Sequence, residues 1–161
     1  MASDAGNVNG DGMSGWQQTY RGVAFPWHCD HFGHMNVRWY SHFFDDAAFQ
    51  IWTVLGHGFK KMEDDGIHTV VAKSTIEYLR EVRAGDLFVI ETGFLKCGTK
   101  SCTHLQRMTN ADTDELHAVQ ETVEVFFDAA TRRSAEIPAI VRLLIEGCTV
   151  SRDDLQPGTV L

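Results

Sequence analysis

The sequence predicts an α+β domain in which a curved antiparallel sheet wraps around one long central helix, in the order β-α-β-β-β-β-α. A helical pattern spans residues 37–55, where apolar residues recur at every third or fourth position. Four strand-like runs follow it, separated by short polar turns. Helices and strands do not alternate, and no G-x-G-x-x-G motif follows a strand, which argues against a nucleotide-binding βαβ fold. One long helix followed by four strands packs most economically as a sheet around that helix.

The first strand is predicted over residues 17–25, and Pro26 ends it because proline has no N–H group for strand pairing. Asn36 is a suitable N-cap for the long helix, and Gly56 is a suitable stop. Residues 56–66 are polar, which predicts a connection with at most one helical turn.

Turn-forming residues separate the later strands. These strands are predicted over residues 68–82, 87–96, 101–109 and 116–127. The last of them alternates between an apolar face and a polar face, which is the period of a strand. The apolar face holds Val119, Val123, Val125 and Phe127, and the polar face holds Gln120, Thr122 and Glu124. Residues 128–136 predict a loop, and Pro138 begins a short helix over residues 138–146.

The chain divides into one folded domain and two tails. Residues 1–15 are rich in Gly, Asn, Asp and Ser, which predicts a disordered tail. Residues 16–148 form the domain, and residues 149–161 are expected to be a loosely held C-terminal tail. A length of 161 residues with a hydrophobic fraction of 43% suits one globular domain.

Composition excludes several classes of protein. A net charge of -8 argues against nucleic-acid binding, which favours a basic surface. No run has the length of a transmembrane helix, and no basic-then-apolar signal segment opens the chain. The four cysteines show no C-x-x-C spacing, so we expect free thiols in a reducing compartment, with Cys97 and Cys102 close together across a hairpin. We therefore expect a cytoplasmic protein without a membrane or nucleic-acid partner.

The loop before the long helix carries the residues best suited to catalysis. Asp30 is followed by Gly33, which permits unusual backbone angles, and the loop ends at the N-terminus of the helix. The free N–H groups there, above all that of Val37, can stabilise a developing negative charge. His34 could polarise a carbonyl or orient Asp30, and Asn36 would cap the helix and align its N–H groups. A carboxylate facing such an oxyanion site is suited to acyl transfer.

Each of these residues also has a structural interpretation. A loop aspartate commonly makes a turn, and a loop histidine commonly holds the backbone by a hydrogen bond. His28, His31 and His34 are spaced so that they could bind a metal, although no partner motif such as H-E-x-x-H accompanies them. Trp27, Trp39 and Trp52 fit a core or interface, or alternatively an aromatic pocket for an acyl group, which could be cationic. Arg132 and Arg133 fit a solvated turn or a phosphate-binding site.

The pattern D-x-x-G-H-x-N-x-x-x-Y, formed by Asp30, Gly33, His34, Asn36 and Tyr40, resembles the hot-dog-fold acyl-CoA thioesterases of the 4-hydroxybenzoyl-CoA thioesterase type. Two weaker similarities are the I-x-Y-x-R-x-V-x-A-G-D pattern at residues 76–86 and the arginine loop before residues 137–138. Together the similarity covers roughly residues 20–147.

The resemblance implies hydrolysis of an acyl-CoA thioester. Asp30 would be the catalytic nucleophile or general base, assisted by His34 and Asn36, with the Val37 N–H polarising the thioester carbonyl. Gly33, Tyr40, Arg132 and Arg133 would help to bind the substrate, the arginines by contacting the CoA phosphates. The family forms homodimers with a continuous sheet, often paired into tetramers, and needs no metal or organic cofactor. A non-catalytic acyl-CoA-binding or sensing module and a metal-dependent hydrolase remain the alternatives.

Overall fold

The computed structural model describes residues 15–155, and its elements follow the predicted order. They are β1 (Gln17–Val23), α1 (Val37–Val54), α2 (Phe59–Asp65), β2 (Ile67–Tyr78), β3 (Leu87–Cys97), β4 (Ser101–Asn110), β5 (Leu116–Asp128), β6 (Arg133–Ser134) and α3 (Ala139–Glu146). Short 3-10 helices cover Pro26–His28 and Arg152–Asp154. The strands form one antiparallel sheet in the order β1-β3-β4-β5-β2, and β6 pairs with β5. This sheet around α1 confirms the predicted fold class.

α1 begins and ends as the sequence predicts. The Asn36 side chain accepts a hydrogen bond from the Arg38 N–H at 3.2 Å, so it caps the helix. At the other end the chain leaves the helix through Gly56, whose φ of +77° is a left-handed conformation that glycine adopts without strain.

The core lies between α1 and the concave face of the sheet, in two apolar clusters. One cluster surrounds Phe44 and Phe88 at the N-terminal half of α1. The other surrounds Ile51 and Phe126 at the C-terminal half, where α3 also contributes. α1 is therefore held along its whole length by apolar contacts, which supply the main stabilisation of such a fold.

A stripe of buried polar side chains crosses the sheet between these two clusters. It consists of Thr19, Thr92, Gln106, Gln120 and Thr122, which come from β1, β3, β4 and β5. At its end the Thr122 hydroxyl donates to the exposed Ser74 of β2 at 3.4 Å. Gln106 is its centre: its Nε2 donates to the Phe44 carbonyl on α1 at 3.0 Å, and its Oε1 accepts from Gln120 at 3.1 Å. The polar face of β5 is thus the face that lies against the helix.

Three expectations about connecting segments were wrong. Residues 56–66 contain the seven-residue helix α2, which buries Met62 and ends at Gly66 with φ +68°. The loop at residues 128–136 contains the short strand β6, because Arg133 pairs with Asp128. The third error concerns the C-terminal segment.

Residues 149–155 are held firmly against the sheet, and were expected to be loose. Thr149 forms a bridge with Phe94, and Val150 is buried against Gly93. Arg152 pairs with Glu77 at 3.0 Å and with Glu121 at 2.8 Å. The predicted tails at residues 1–14 and 156–161 lie outside the described residues.

Candidate active site

The loop from Cys29 to Asn36 is shaped by its own backbone. The Asp30 N–H donates to the His34 carbonyl at 2.9 Å, and the Gly33 N–H donates to the Asp30 carbonyl at 3.0 Å. Gly33 has a φ of +82°, which is the unusual angle that the sequence predicted for this position. The loop is then tied to the segment after β2, since the Met35 N–H donates to the Val82 carbonyl at 2.7 Å.

Asp30 is half-buried and forms a turn. Its Oδ1 accepts a hydrogen bond from the Phe32 N–H at 2.9 Å, as a structural loop aspartate does. His34 does not contact Asp30: its Nε2 lies 3.0 Å from Oε2 of Glu81. The carboxyl group of Glu81 therefore orients the imidazole, and the idea that His34 orients Asp30 is not seen in this geometry.

The N-terminus of α1 lies directly after this loop. The Val37 N–H belongs to the first turn, where no preceding helical carbonyl can accept it. The Val37 side chain is exposed, which leaves this end of the helix open to solvent. The Arg38 and Trp39 N–H groups donate to Asn36, so the Asp30 carboxyl group shares this short segment with one first-turn donor, the Val37 N–H.

Tyr40 belongs to the core. It is 4% exposed, and its hydroxyl accepts a hydrogen bond from the Val82 N–H at 3.3 Å. Burial raises the pKa of Tyr40 to about 12. Its contact ties α1 to the chain after β2, and the predicted role in substrate binding stays a prediction.

Arg132 and Arg133 are exposed at the opposite end of the sheet, in and beside the turn between β5 and β6. Arg132 has a φ of 58° and lies over the ring of Phe127, with 5.5 Å between its guanidinium carbon and the ring centroid. Phe127 in turn contacts His68 at the start of β2. Both exposed guanidinium groups are therefore accessible to an anionic ligand at that end of the sheet.

The three histidines of the loop region face different partners. Nδ1 of His28 accepts the Phe25 N–H at 3.0 Å, and the ring of His31 lies against Phe32. Burial lowers the pKa of His28 below its ordinary value, and His42 lowers it further. Within residues 15–155, no three His, Cys, Asp or Glu side chains come together as a metal site.

The tryptophans also separate. Trp27 is 64% exposed and stacks on Phe25, whereas Trp52 is buried and lines a cavity on the other half of α1. Trp39 packs against His28. The three side chains do not form one cage. Trp52 is a core residue that also lines this cavity, and an aromatic pocket for an acyl group stays a prediction.

Sequence reasoning missed a cleft between α1 and β2. Two adjoining cavities share Asp45, Ala48 and Val71 as walls. The first, of about 220 Å³, lies beside the C-terminal half of α1, and the second, of about 420 Å³, lies beside its N-terminal half. The helical face that lines them carries Arg38, Ser41, His42, Asp45, Ala48, Phe49 and Trp52. Their spacing of three and four was visible in the sequence, as a second face of α1 beside the apolar one.

Cys97 and Cys102 are opposite each other across the β3–β4 hairpin, as predicted, and all four cysteines are free thiols. No helix within the described part of the chain is both long and apolar enough to span a membrane.

A curled antiparallel sheet around one central helix, with a polar loop at the N-terminus of that helix, defines a hot-dog protein. A model of the Thioesterase-like superfamily matches residues 23–144, and the chain belongs to this superfamily. A comparison with curated proteins gave no match.

Solved structures share the fold. YbaW, a probable thioesterase from Escherichia coli, is 22% identical with a TM-score of 0.71, over 83% of this chain and 100% of that one. The hypothetical protein SAV2348 from Staphylococcus aureus, in complex with CoA, is 19% identical with a TM-score of 0.75, over 90% and 96% of the two chains. Slr0204, a 1,4-dihydroxy-2-naphthoyl-CoA thioesterase from Synechocystis, is 14% identical with a TM-score of 0.69, over 80% and 94%.

Proposed function

We propose that this protein hydrolyses an acyl-CoA thioester to the free acid and CoA. The observation that carries the proposal is the loop that presents Asp30 immediately before the N-terminus of α1. Membership of the Thioesterase-like superfamily supports it, as do the similar structures described as a CoA complex and as an acyl-CoA thioesterase.

Asp30 is the proposed nucleophile or general base. The Val37 N–H would polarise the thioester carbonyl and stabilise the oxyanion, because backbone donors at a helix N-terminus are fixed before the reaction begins. Asn36 keeps these donors aligned through its cap, and His34, fixed by Glu81, lies in the same loop as a candidate donor to the carbonyl. Gly33 permits the loop geometry, and the exposed Arg132 and Arg133 are proposed to bind the CoA phosphates.

We further propose a homodimer formed along β2, which two such dimers could extend to a tetramer. β2 is twelve residues long, and within residues 15–155 it pairs only with β5, so no described strand covers its other edge. Val70 and Val71 on it are 49% and 55% exposed. The Asp30 loop lies near the end of β2, because His34 bridges to Arg83, and the first cavity lies near the start of β2, beside His68 and Thr69. If two copies of β2 paired antiparallel, the end of one strand would lie beside the start of the other. The Asp30 loop of one subunit would then approach the cavity of its partner. The site would then be shared between subunits.

The dimer proposal is tested by measuring molar mass in solution. Wild type is expected at twice the chain mass or a multiple of it, and Val70→Lys should shift the population to monomer because a charged side chain on an open strand edge opposes edge-to-edge pairing. A monomeric wild type at all concentrations would contradict the proposal.

The catalytic proposal is tested with a panel of short, long, aromatic and cationic acyl-CoAs, by following release of the free thiol. Asp30→Asn should lower kcat by about 100-fold to 10,000-fold, the usual contribution of a positioned base. Asp154→Asn is the matched control, because Asp154 also accepts a backbone N–H but lies in the C-terminal segment. Full turnover by Asp30→Asn would overturn the role of Asp30.

A second candidate is a module that binds acyl-CoA without hydrolysing it. It is favoured by the bond from the Phe32 N–H to Oδ1 of Asp30, which gives the carboxyl group a structural role. Binding of CoA esters with no thiol release across the panel would select this candidate. Turnover that is lost with a chelator and restored by zinc would instead select the metal-dependent hydrolase.

A further inference from the structure

The first cavity has apolar walls and one buried polar floor. Its walls include Phe49 and Trp52 from α1, Phe59 and Met62 from α2, and Val71 from β2. Its volume of about 220 Å³ is below the roughly 300–1,000 Å³ of a pocket that holds a whole drug-sized ligand. The cavity is therefore sized for one part of a substrate, such as a compact acyl group.

The polar floor is Glu124 of β5. This residue is only 4% exposed, and its Oε1 lies 3.1 Å from Nε2 of His104, a neighbour on β4 that is fully buried. The other oxygen, Oε2, has no hydrogen-bond partner among residues 15–155. Leaving a buried acceptor without a partner is destabilising, and a ligand that donates to Oε2 would remove this cost.

The surroundings of Glu124 define what could bind there. The other polar residues of the cavity are Asp45, His68 and Thr69, and no Lys or Arg of the described chain lines it. Two carboxyl groups repel an anionic or acceptor-only group and attract a hydrogen-bond donor. The aromatic rings of Phe49, Trp52 and Phe59 would surround such a donor with flat, polarisable faces.

We infer that Glu124 determines substrate specificity by accepting a hydrogen bond from a donor, a hydroxyl or ammonium group, at the far end of the acyl chain. This inference rests on the proposed function for the identity of the ligand as an acyl-CoA. It names the substrate class as acyl-CoAs with a compact acyl group that ends in a donor. Purely hydrocarbon chains would leave Oε2 of Glu124 without a partner and bind less well.

The affinity test uses thioethers of CoA, which cannot be hydrolysed. Pentyl chains ending in methyl, hydroxyl or ammonium are compared by titration calorimetry, so that Kd reports the cavity independently of turnover. Wild type should bind a donor-ended chain about 10-fold more tightly than the methyl-ended chain, the contribution of about one hydrogen bond. The hydroxyl and ammonium arms separate the two possible donors.

Glu124→Gln is the decisive variant. The amide keeps the size of the side chain, and when its oxygen accepts from His104 Nε2, an N–H group takes the place of the acceptor Oε2. The preference for donor-ended chains should fall to about unity or reverse in favour of a carboxyl-ended chain. Glu121→Gln is the matched control on the same strand, since Glu121 pairs with Arg152 outside the cavity. It should keep the wild-type ratio.

Each ratio compares two ligands on one protein, so a loss of folded protein does not alter it. Should Glu124→Gln not fold, Val71→Met provides a second test. Val71 is 55% exposed opposite Glu124, so a longer side chain there can occupy the cavity without repacking the core. It should abolish the preference in the same assay.

Equal Kd values for methyl-ended and donor-ended chains in wild type would overturn the inference, and so would a preference that survives Glu124→Gln. Hydrolysis of the corresponding methyl- and hydroxyl-ended thioesters is measured in parallel. Turnover without any end-group preference would leave the proposed function standing and remove the role of Glu124. A Glu124-dependent preference in Kd without turnover would support the role of Glu124 and overturn the proposed hydrolysis.

Discussion

The loop before α1 and the cleft beside α1 contain the same pair of side-chain types, but they are built differently. In the loop, Asp30 and His34 are four residues apart, partly exposed, and bound to different partners. In the cleft, Glu124 and His104 are twenty residues apart, almost fully buried, and bound to each other. The loop is suited to chemistry that needs access to solvent, and the cleft is suited to selecting what enters.

The two regions also differ in what holds them. The loop depends on short-range backbone hydrogen bonds and on the cap at Asn36. The cleft depends on the register of strands β2, β4 and β5, which places a row of buried polar side chains under α1. Polar groups in the cleft should therefore contribute more to stability than polar groups in the loop, because fewer of them can turn to water when a partner is lost.

The largest effect on stability is expected from Gln106→Leu. This change removes the donor to Phe44 and the acceptor for Gln120, both of which are buried. Unfolding in urea should show a loss of about 2–3 kcal/mol, the cost of leaving buried polar groups unpaired. Gln18→Leu, on the exposed side of β1, is the control and should change little. A tolerated Gln106→Leu would contradict the structural importance of the stripe.

A smaller effect is expected in the loop from Asn36→Ala. Loss of the cap bond to the Arg38 N–H should cost about 1 kcal/mol of unfolding free energy. Turnover of an acyl-CoA should fall as well, because the first-turn N–H groups lose their alignment. Asn36→Ser keeps a capping oxygen and should recover most of both quantities. If Asn36→Ala lowered the free energy of unfolding more than Gln106→Leu does, the loop would contribute more to stability than the cleft, contrary to this expectation.

The same contrast explains which features the sequence predicted. α1, its cap at Asn36 and the left-handed Gly33 follow from local rules, and all are present. The curved sheet followed from the order of the elements. Alternation along β5 distinguished its two faces, but only the pairing of Gln120 with Gln106 and of Thr122 with Ser74 shows that the polar face lies inward.

Missed features depend on contacts between distant residues. The C-terminal segment is held because Arg152 meets Glu77 and Glu121, 75 and 31 residues away in sequence. α2 has few apolar residues, and the burial of Met62 against the second core cluster stabilises it. The floor of the cavity could not be predicted from local patterns, since a glutamate in a strand is ordinarily expected to face solvent.

The smallest effect is expected on the pH dependence of stability, and it concerns His28 in the loop region. His28 packs behind the loop, and burial, with His42, lowers its pKa in the folded protein. The unfolded chain therefore binds the proton more readily, so stability is full above the ordinary histidine pKa near 6.5 and falls as the pH drops towards the folded pKa. Protonation would also break the bond from the Phe25 N–H to Nδ1. His28→Asn keeps an acceptor there without titrating, so urea unfolding of this variant should depend less on pH below about 6.5 than that of wild type. Identical pH profiles would show that His28 does not contribute to the loss of stability at low pH.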